Sequence, residues 1–365
     1  MPHTDCIIIG SGIAGLATAL RLRQAGFSVT ILERERIGRE ASWAGGGILC
    51  PLYAWRYPEP VMRLAAAGMA RYPAFISELL DTQTTDPEFF TSGMLILDPV
   101  DNAHDANAIS AWAEQYTYPH RWQAAEDHFP HLPHDNSLWL PQINTVRNPR
   151  LLRALIEAAR QADVTILEYQ PARELRVAQQ RVIGVRCDSA THHAEHVIVT
   201  AGAWSGSLVP GLSPAHIFPI RGQMIRFDTA PPAGLKTILL DEGIYLIPRQ
   251  DGSVVVGSTV EHVGFDKHNT EEAIHHLHRK AVELWPNLAH TPIAQQWSGL
   301  RPGTQDEIPY LAAHPDIAGL WIGTGFYRNG LAMAPAVAEI MADLIQGRPT
   351  MMDLHDYRID RPTPF

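Results

Sequence analysis

The sequence predicts a mixed α/β fold (α+β mixed), in which a doubly wound sheet domain is interrupted by an inserted antiparallel-sheet domain. Three observations predict it. A strand–turn–helix–strand unit occupies residues 6–34, an alternating antiparallel pattern occupies 218–259, and a glycine-ended strand leads into a helix at 321–345. The first domain is therefore built from separate segments of the chain, and the second domain is inserted between them.

The opening unit is a βαβ unit with a glycine-rich turn. Residues 6–9 form a β-branched apolar run typical of a buried strand, and apolar residues then recur at helical spacing. A second apolar run, residues 28–32, predicts the next parallel strand. The turn carries three glycines at G-x-G-x-x-G spacing: Gly10, Gly12 and Gly15.

Each part of this unit suits a dinucleotide. Gly10 permits the tight turn, Gly12 lets the backbone approach a pyrophosphate, and Gly15 lets the helix pack against the strand. The N-terminus of the helix offers free N–H groups and a partial positive charge. Glu33 ends the second strand, where a carboxylate can accept hydrogen bonds from ribose hydroxyls and would repel a 2′-phosphate. These residues predict a dinucleotide other than NADP, and they leave NAD and FAD open.

Composition excludes several classes of function. The 365 residues carry a formal net charge of −10, which argues against a nucleic-acid partner and against an anionic membrane surface. Three separated cysteines without a C-x-x-C pair argue against disulfides and against zinc or iron–sulfur sites. The sequence has no apolar run of membrane-spanning length and no leader-like start. We therefore expect a cytoplasmic protein with no membrane partner.

The remaining elements follow in chain order. Helical periodicity is predicted over 60–82, 105–117, 151–162, 270–285 and 335–345, and short strands over 165–168, 182–187, 196–200 and 321–323. Residues 244–248 and 254–257 flank Asp251-Gly252 and predict a hairpin. Residues 118–150, rich in Pro, His and Trp, predict irregular structure.

Three further segments favour FAD over NAD. "ASWAGGGIL" (41–49) offers hydroxyl and amide groups and close backbone approach beside a phosphate or a flat ring. "VIVTAGAWS" (197–205) ends a strand in small residues. "WIGTGFYRNGLAMAP" (321–335) starts a helix whose N-terminus could stabilise negative charge on a reduced flavin, a need that an NAD enzyme lacks.

With "FPIRGQM", "YLIPRQDGSVVVGST" and "SGLRPGTQDEIPYL", these segments resemble the FAD-dependent D-amino-acid-oxidase-like (DAO) family, and within it bacterial glycine oxidases of the thiazole-biosynthesis type. The resemblance spans residues 6–347 in family order. It implies a Rossmann-like FAD-binding domain at 1–85, 145–217 and 310–365, and a substrate-binding domain at 86–144 and 218–309.

The resemblance also assigns site residues. For the cofactor they are Gly10, Gly12, Ile13, Ala14, Gly15, Glu33, Ser42, Gly46, Gly47, Ala172, Gly202, Tyr327, Asn329, Gly330 and Leu331. For catalysis, Arg301 matches the arginine that holds the substrate carboxylate, Tyr245 a tyrosine that reaches the same carboxylate, and Arg328 an arginine at the pocket and flavin edge. A guanidinium fork binds a carboxylate in a bidentate manner, which lysine cannot do.

The function implied is oxidative deamination of glycine, other small amino acids or N-methyl amines. A hydride passes from Cα to flavin N5, O₂ is reduced to H₂O₂, and the product could serve thiazole synthesis for thiamine. Two alternatives remain: a dehydrogenase subunit that passes electrons to a carrier or partner, and a flavin-dependent nucleic-acid-modification domain. We expect a homo-oligomer. The cysteine that attaches flavin covalently in sarcosine-oxidase relatives has no counterpart near Arg301, so FAD is expected to be noncovalent.

Other residues receive weaker predictions. Ile48, Tyr53 and Val260 stand where they could set the size of the pocket. Trp204 and Trp297 are interpreted as core residues. Histidines cluster in two places, at 128–134 and 275–278, but prolines interrupt the first cluster and the second lies on a polar helix face, so no metal site is predicted.

Overall fold

The computed structural model describes residues 4–229 and 234–362. In these residues the helices are α1 (Ile13–Gln24), α2 (Ala41–Ala44), α3 (Glu59–Asp81), α4 (Ala106–Gln115), α5 (Asn148–Gln161), α6 (Glu271–Leu284) and α7 (Gly330–Ile345). The strands are β1 (Thr4–Ile9), β2 (Val29–Leu32), β3 (Phe90–Thr91), β4 (Met94–Leu97), β5 (Arg121–Gln123), β6 (Ser137–Leu140), β7 (Asn144–Thr145), β8 (Thr165–Leu167), β9 (Glu174–Ala178), β10 (Arg181–Arg186), β11 (Thr191–Val199), β12 (Ile217–Phe227), β13 (Ile238–Asp241), β14 (Ile244–Pro248), β15 (Val254–Gly257), β16 (Ile293–Thr304), β17 (Tyr310–Ala313) and β18 (Leu320–Thr324).

The first sheet is the predicted doubly wound sheet. Its path is β17-β18-β11-β1-β2-β8, in which the pairs from β18 to β8 are parallel and β17 is antiparallel. Ile8 at the centre of β1 pairs with Ile198 on one side and Ile31 on the other. Buried residues of α1, α3, α5 and α7 form one core cluster with Ile8, and Ile7 and Ile9 lie in a second cluster with residues of β10, β11 and β18. Both faces of β1 are therefore covered, which explains why the strand is apolar throughout.

The second sheet is mostly antiparallel. Its order is β16-β12-β15-β14-β13-β4-β6-β5, with one parallel pair between β4 and β13. The predicted hairpin is present, because β14 pairs with β15 in an antiparallel register and Gly252 in the turn has φ +84°. Buried residues of α6 share a core cluster with residues of this sheet, so the sheet is covered on that side.

The prediction of irregular structure over 118–150 was wrong in part. This segment contains β5, β6 and β7, and β6 pairs with β4 across a large sequence separation. Strands of two to four residues are too short to show alternation, and their partners are distant in the chain, so local pattern does not identify them. Strands β3, β4, β9, β16 and β17 were also not predicted, and the last helix begins at Gly330 rather than Pro335.

The strands of the two sheets come from different parts of the chain. The first sheet draws on residues 4–32, 165–199 and 310–324, and the second on 94–97, 121–140, 217–257 and 293–304. The exact domain boundaries stay a prediction. None of the helices in the described residues combines the length and apolar character needed to cross a membrane.

Candidate active site

A cavity of about 600 Å³ joins the two sheets. Its wall runs from the glycine turn after β1, past the ends of β2, β11 and β18, to β12, β14 and β16 of the second sheet. Ligands of doubly wound sheets bind outside the carboxyl ends of the parallel strands, and this cavity lies there. One cavity therefore adjoins both the predicted cofactor residues and the predicted substrate residues.

Two glycines of the turn are required by close backbone contacts. Gly10 has φ +103°, and a β-carbon there would lie 2.6 Å from the carbonyl oxygen of Thr200. A β-carbon at Gly15 would lie 2.1 Å from the carbonyl oxygen of Gly10. Gly10 and Gly12 line the cavity, whereas Gly15 lies behind the turn. Gly15 therefore acts by allowing α1 to approach the turn, as its place in the motif predicts.

Glu33 lies on the wall of the cavity beside the glycine turn. Its Oε2 accepts hydrogen bonds from the backbone N–H (3.0 Å) and hydroxyl (2.6 Å) of Ser11, and its Oε1 accepts one from Glu35 N–H at 3.1 Å. The residue is only 5% exposed. The carboxylate is therefore fixed in place, and its Oε1, which accepts one hydrogen bond, has capacity for a further one.

The glycine loop Gly45–Gly47 is held from two sides. Ser42, just before it, accepts a hydrogen bond from Ile13 N–H at 3.0 Å and so caps the start of α1. The buried guanidinium of Arg249 donates to the carbonyl oxygens of Gly46 (2.6 Å) and Val146 (3.0 Å). Burial lowers the pKa of Arg249 to about 10, so the group stays charged near neutral pH. These contacts keep the loop against the cavity.

The N-terminus of α7 also faces the cavity. Tyr327, Arg328, Asn329, Gly330 and Leu331 all line it, and the helix that follows is 16 residues long. The first N–H groups of a helix have no partner within it, and its dipole favours negative charge at that end. Nε of Arg328 is buried and has no hydrogen-bond partner in the part of the chain that the structure describes.

These features fit FAD. Gly10 and Gly12 present backbone without side chains at the cavity wall, which leaves room for a pyrophosphate, and Glu33 offers an acceptor for a ribose hydroxyl beside them. Two buried polar atoms of cavity-lining residues, Nε of Arg328 and Oδ1 of Asn148, have no partner within the described residues. Buried polar atoms are normally satisfied, so both are consistent with a polar ligand in this cavity.

Arg301 lies on β16 at the opposite part of the cavity wall. Its Nη1 donates to the carbonyl oxygen of Thr259 at 3.1 Å, and its Nη2 donates to Oγ of Ser258 at 2.5 Å. No ion pair joins it to a carboxylate among residues 4–229 and 234–362. Burial, with a smaller contribution from the charge of Arg328, lowers the pKa of Arg301. The group is therefore a cation held by neutral acceptors and open to an anionic ligand.

Tyr245 lies beside Arg301. It is 6% exposed, and its hydroxyl lies 3.3 Å from Sδ of Met224. Both residues line the cavity. A weak sulfur acceptor leaves the phenol group free to exchange this contact for a stronger acceptor such as a carboxylate.

Of the residues predicted for the site, Gly15 alone does not line the cavity. The others surround it: Gly10, Gly12, Ile13, Ala14, Glu33, Ser42, Gly46, Gly47, Ala172, Gly202, Tyr245, Arg301, Tyr327, Arg328, Asn329, Gly330 and Leu331. Their individual roles stay predictions.

The structure adds residues that sequence reasoning missed. Cys50, Gly222, Met224 and Ser258 line the cavity, and Gly222 and Ser258 contact Arg301. Burial raises the pKa of the Cys50 thiol to about 12, so it is a neutral wall group. A β-carbon at Gly222 would lie 2.1 Å from Nη2 of Arg301. The only signal for Gly222 and Met224 was their place in "FPIRGQM".

Several weaker predictions are refined. Ile48 lines the cavity, but Tyr53 and Val260 do not: Tyr53 is buried and accepts a hydrogen bond from Gly243 N–H, and Val260 is 46% exposed. The interpretation of Trp204 as a core residue was wrong, because its side chain lines the cavity and its ring contacts Arg34 and stacks on Phe265.

Trp297 is half-buried and donates to the carbonyl oxygen of Ala44 at 2.9 Å. The clustered histidines have structural contacts, such as His134 with Asp98 at 2.7 Å. No cluster of histidine, cysteine and acidic side chains suited to a metal ion occurs in the described residues.

Comparison with known proteins gives one consistent result. The family model of the FAD dependent oxidoreductases (DAO) matches residues 5–344. A glycine oxidase from Pseudomonas aeruginosa is 40% identical over 358 residues, which cover 96% of this chain and 97% of the relative. The bifunctional protein ThiO/ThiG of Trichormus variabilis is 32% identical, and the match covers 98% of this chain and 55% of that protein.

The structural comparison agrees. The crystal structure of glycine oxidase from Geobacillus kaustophilus superposes with a TM-score of 0.92 at 25% identity, and the match covers 100% of both chains. The iminodiacetate oxidase of Chelativorans sp. BNC1 superposes with a TM-score of 0.85 at 26% identity, covering 97% of this chain and 98% of that one.

Proposed function

Because the chain belongs to the DAO family of FAD-dependent oxidoreductases, we propose that it oxidises glycine or another small amino acid whose carboxylate is held by Arg301. It is an FAD-dependent amine oxidoreductase by membership of that family. Glycine is the first candidate substrate, because two relatives whose matches cover 96% of this chain and 97% of their own length are glycine oxidases. The product would be the imino acid, hydrolysed to the oxo acid, with O₂ reduced to H₂O₂.

The unpaired charge of Arg301 is the main support for a carboxylate substrate. A cation in a cavity costs free energy unless an anion or hydrogen bonds compensate it. The partners of Arg301 are neutral oxygens, at Ser258 and Thr259, and no carboxylate of the described residues pairs with it. A substrate carboxylate supplies the missing negative charge and, through two parallel hydrogen bonds, a fixed orientation.

The remaining chemistry needs orientation more than acid–base groups. FAD, when bound, supplies the hydride acceptor. Arg301 and Tyr245 fix the carboxylate, and this fixes Cα of the substrate relative to the rest of the cavity. The neutral amine lone pair assists hydride departure, so no dedicated base is required. Tyr245 and Arg301 therefore act by positioning and by charge complementarity.

The residues proposed to hold FAD form three groups around the cavity. The glycine turn and the start of α1 would receive the pyrophosphate, and Glu33 the ribose. The Gly45–Gly47 loop and the N-terminus of α7 would lie against the flavin. FAD is proposed to be noncovalent, because Cys50, the cysteine that lines the cavity in the described residues, is held as a neutral thiol.

The decisive experiment is anaerobic titration of the flavin absorbance with a panel of amines, followed by readmission of air. Glycine, sarcosine, D-alanine, iminodiacetate and ethylamine form a suitable panel. We expect glycine or a close analogue to bleach the flavin, and we expect air to restore the absorbance with one H₂O₂ formed per turnover. Ethylamine, which lacks a carboxylate, should bleach it poorly.

Each alternative gives a different result in this experiment. Bleaching by an amino acid without rapid reoxidation in air would favour a dehydrogenase that uses a carrier or partner. No bleaching by any amino acid would contradict the proposal and leave the modified-nucleobase alternative. Denatured protein should release its flavin into solution, and flavin that stays with the precipitate would contradict noncovalent binding.

Glu33→Ala tests the cofactor site. The substitution removes the proposed ribose hydrogen bonds, so we expect the free energy of FAD binding to weaken by about 1–3 kcal/mol. The thermal midpoint of the apoprotein should also fall, because Ser11 and Glu35 lose their hydrogen-bond acceptor. FAD affinity is therefore compared at a temperature at which both apoproteins are folded. Reconstitution of apoprotein with FAD, followed by flavin fluorescence, measures the dissociation constant. Glu114→Ala is the control, because Glu114 is exposed and does not line the cavity. Equal FAD affinity in wild type and Glu33→Ala would remove Glu33 from the site.

Three finer assignments belong to the proposal. The ThiO/ThiG relatives support a role in thiazole synthesis for thiamine, to which an imine of glycine could contribute. A homo-oligomer and a cytoplasmic location are also proposed. Light scattering of the purified holoprotein would test the homo-oligomer, and cell fractionation would test the cytoplasmic location.

A further inference from the structure

The loop formed by residues 258–268 lies at the edge of the cavity and supplies the contacts that orient Arg301. It follows β15 directly, and Ser258 lines the cavity. Ser258 Oγ and the carbonyl oxygen of Thr259 accept hydrogen bonds from Arg301 at 2.5 and 3.1 Å. The third acceptor, the carbonyl oxygen of Arg221 on β12, is more distant at 3.4 Å. The placement of Arg301 therefore depends on the placement of this loop.

The 258–268 loop is mostly exposed, and Arg221 anchors it. Arg221 and Glu261 exchange two backbone hydrogen bonds of 2.9 and 3.0 Å. Nε of Arg221 donates to Oε2 of Glu261 at 2.7 Å, and Nη2 contacts the same carboxylate. Nη1 donates to Asp266 Oδ2 and to the carbonyl oxygen of His268, each at 2.8 Å. Residues 262–268 are exposed. Other contacts also hold this segment, among them Ser298 Oγ to the carbonyl oxygen of Lys267 at 2.5 Å and Phe265 against Trp204, while Arg221 provides the contacts at Glu261, Asp266 and His268.

A second side chain of β12 supports the same anchor. Nε2 of Gln223 donates to Oε1 of Glu261 at 2.8 Å, and Gln223 N–H donates to Oγ1 of Thr259 at 2.9 Å. Gln223 is fully buried and Arg221 is 3% exposed. Both oxygens of the Glu261 carboxylate are thus engaged by buried donors of one strand. This geometry fixes the loop more firmly than an exposed ion pair could.

Arg221 and Arg301 lie on paired strands but have opposite electrostatic surroundings. In the β12–β16 register, Arg301 pairs with Ile220 and Arg221 with Leu300. Arg221 has two carboxylate partners, Glu261 and Asp266, while Arg301 has neutral acceptors. Neither Arg221 nor Glu261 lines the cavity. Carboxylates of the protein therefore neutralise the charge of Arg221. The charge of Arg301 has no such partner and can pair with an anionic ligand.

We propose that Arg221 and Glu261 are positioning residues that set the substrate affinity of the enzyme by fixing the 258–268 loop, and through it the guanidinium of Arg301. This inference rests on the proposed function, in which Arg301 holds the substrate carboxylate. The pair contacts neither the substrate nor the cofactor. Loss of the pair should loosen Ser258 and Thr259 and let Arg301 turn out of the orientation that a bidentate carboxylate requires.

Glu261→Gln and Arg221→Gln test the inference. We expect KM for glycine to rise by about tenfold or more in each, since small misplacements of a binding group have large effects. The dissociation constant of acetate, a carboxylate ligand followed by its perturbation of the flavin spectrum, should rise by a similar factor. FAD affinity and the poor activity toward ethylamine should be unchanged, because neither depends on Arg301.

The chain offers a matched control in Arg226→Gln. Arg226 lies on the same strand and pairs with Asp228 at 2.7 Å, away from the loop. This variant should keep the wild-type KM and acetate affinity. Glu261 has a side chain that is 23% exposed, so Glu261→Gln is expected to fold even if Arg221→Gln does not. In that case the KM and the acetate affinity of Glu261→Gln alone decide whether the inference holds.

The possible results separate the inference from the proposed function. Wild-type KM and acetate affinity in Glu261→Gln would overturn the inference, and so would a lowered thermal midpoint with KM unchanged, because the pair would then be purely structural. A wild-type enzyme whose flavin responds to neither glycine nor acetate would overturn the proposed function, and the inference with it. A selective rise in KM and in the acetate dissociation constant supports both.

Discussion

Arg301→Ala is expected to lower kcat/KM for glycine by roughly 10²–10³-fold or more, a loss of about 3–5 kcal/mol in transition-state stabilisation. The variant would leave the substrate carboxylate unpaired in a cavity that is partly shielded from water. Much of the loss should appear in KM, because the carboxylate is bound in the ground state and the transition state alike. Steady-state oxygen consumption over a range of glycine concentrations measures both parameters.

Arg301→Lys and a second substrate sharpen this test. The lysine variant should stay clearly impaired, because a point charge cannot replace two parallel N–H donors. FAD content should stay at the wild-type level in both variants. The rate of ethylamine oxidation should hardly change with either substitution. Glycine turnover that survives in Arg301→Ala, or wild-type oxidation of ethylamine as fast as glycine, would mean that the substrate is held in another way.

Gly222→Ala should impair substrate binding with little loss of stability. A β-carbon at this position would lie 2.1 Å from Nη2 and 2.4 Å from Cζ of Arg301. The guanidinium is the flexible end of a side chain, so it can move away at small cost to folding, but it then leaves the carboxylate site. A displacement of about 1 Å can cost on the order of 10²-fold in rate, and we expect a loss of that size in kcat/KM for glycine.

Gly303→Ala is the matched control for that variant. Gly303 lies on the same strand as Arg301, and its β-carbon would meet apolar atoms, the nearest being Cδ1 of Ile220 at 2.6 Å. Its effect should therefore appear in the thermal midpoint rather than in KM. If Gly222→Ala kept the wild-type KM, or if both variants changed KM equally, the steric link between position 222 and Arg301 would be disproved.

The dinucleotide site could be predicted largely from the sequence because its parts are local. The turn, the helix and the acid at Glu33 lie within residues 6–33, and each part has a separate steric or electrostatic reason. The same holds for the 244–257 hairpin, whose turn residues and alternation are contiguous. The family resemblance added Arg301 and Tyr245, which periodicity alone would not have distinguished from surface residues.

By itself, then, the sequence determined the class of cofactor and the mixed α/β type of fold, and through the family resemblance it predicted the arginine that is proposed to bind the carboxylate. The tertiary structure decided how that arginine is held. The contacts of Arg301 with Gly222 and with the 258–268 loop depend on the register of β12 with β16 and on the anchor from Arg221 to Glu261. Trp204 was assigned to the core and Tyr53 to a possible pocket wall, and the structure places Trp204 at the cavity and Tyr53 outside it. Such placements arise from pairing between residues far apart in the chain, and a local pattern carries no information about that pairing.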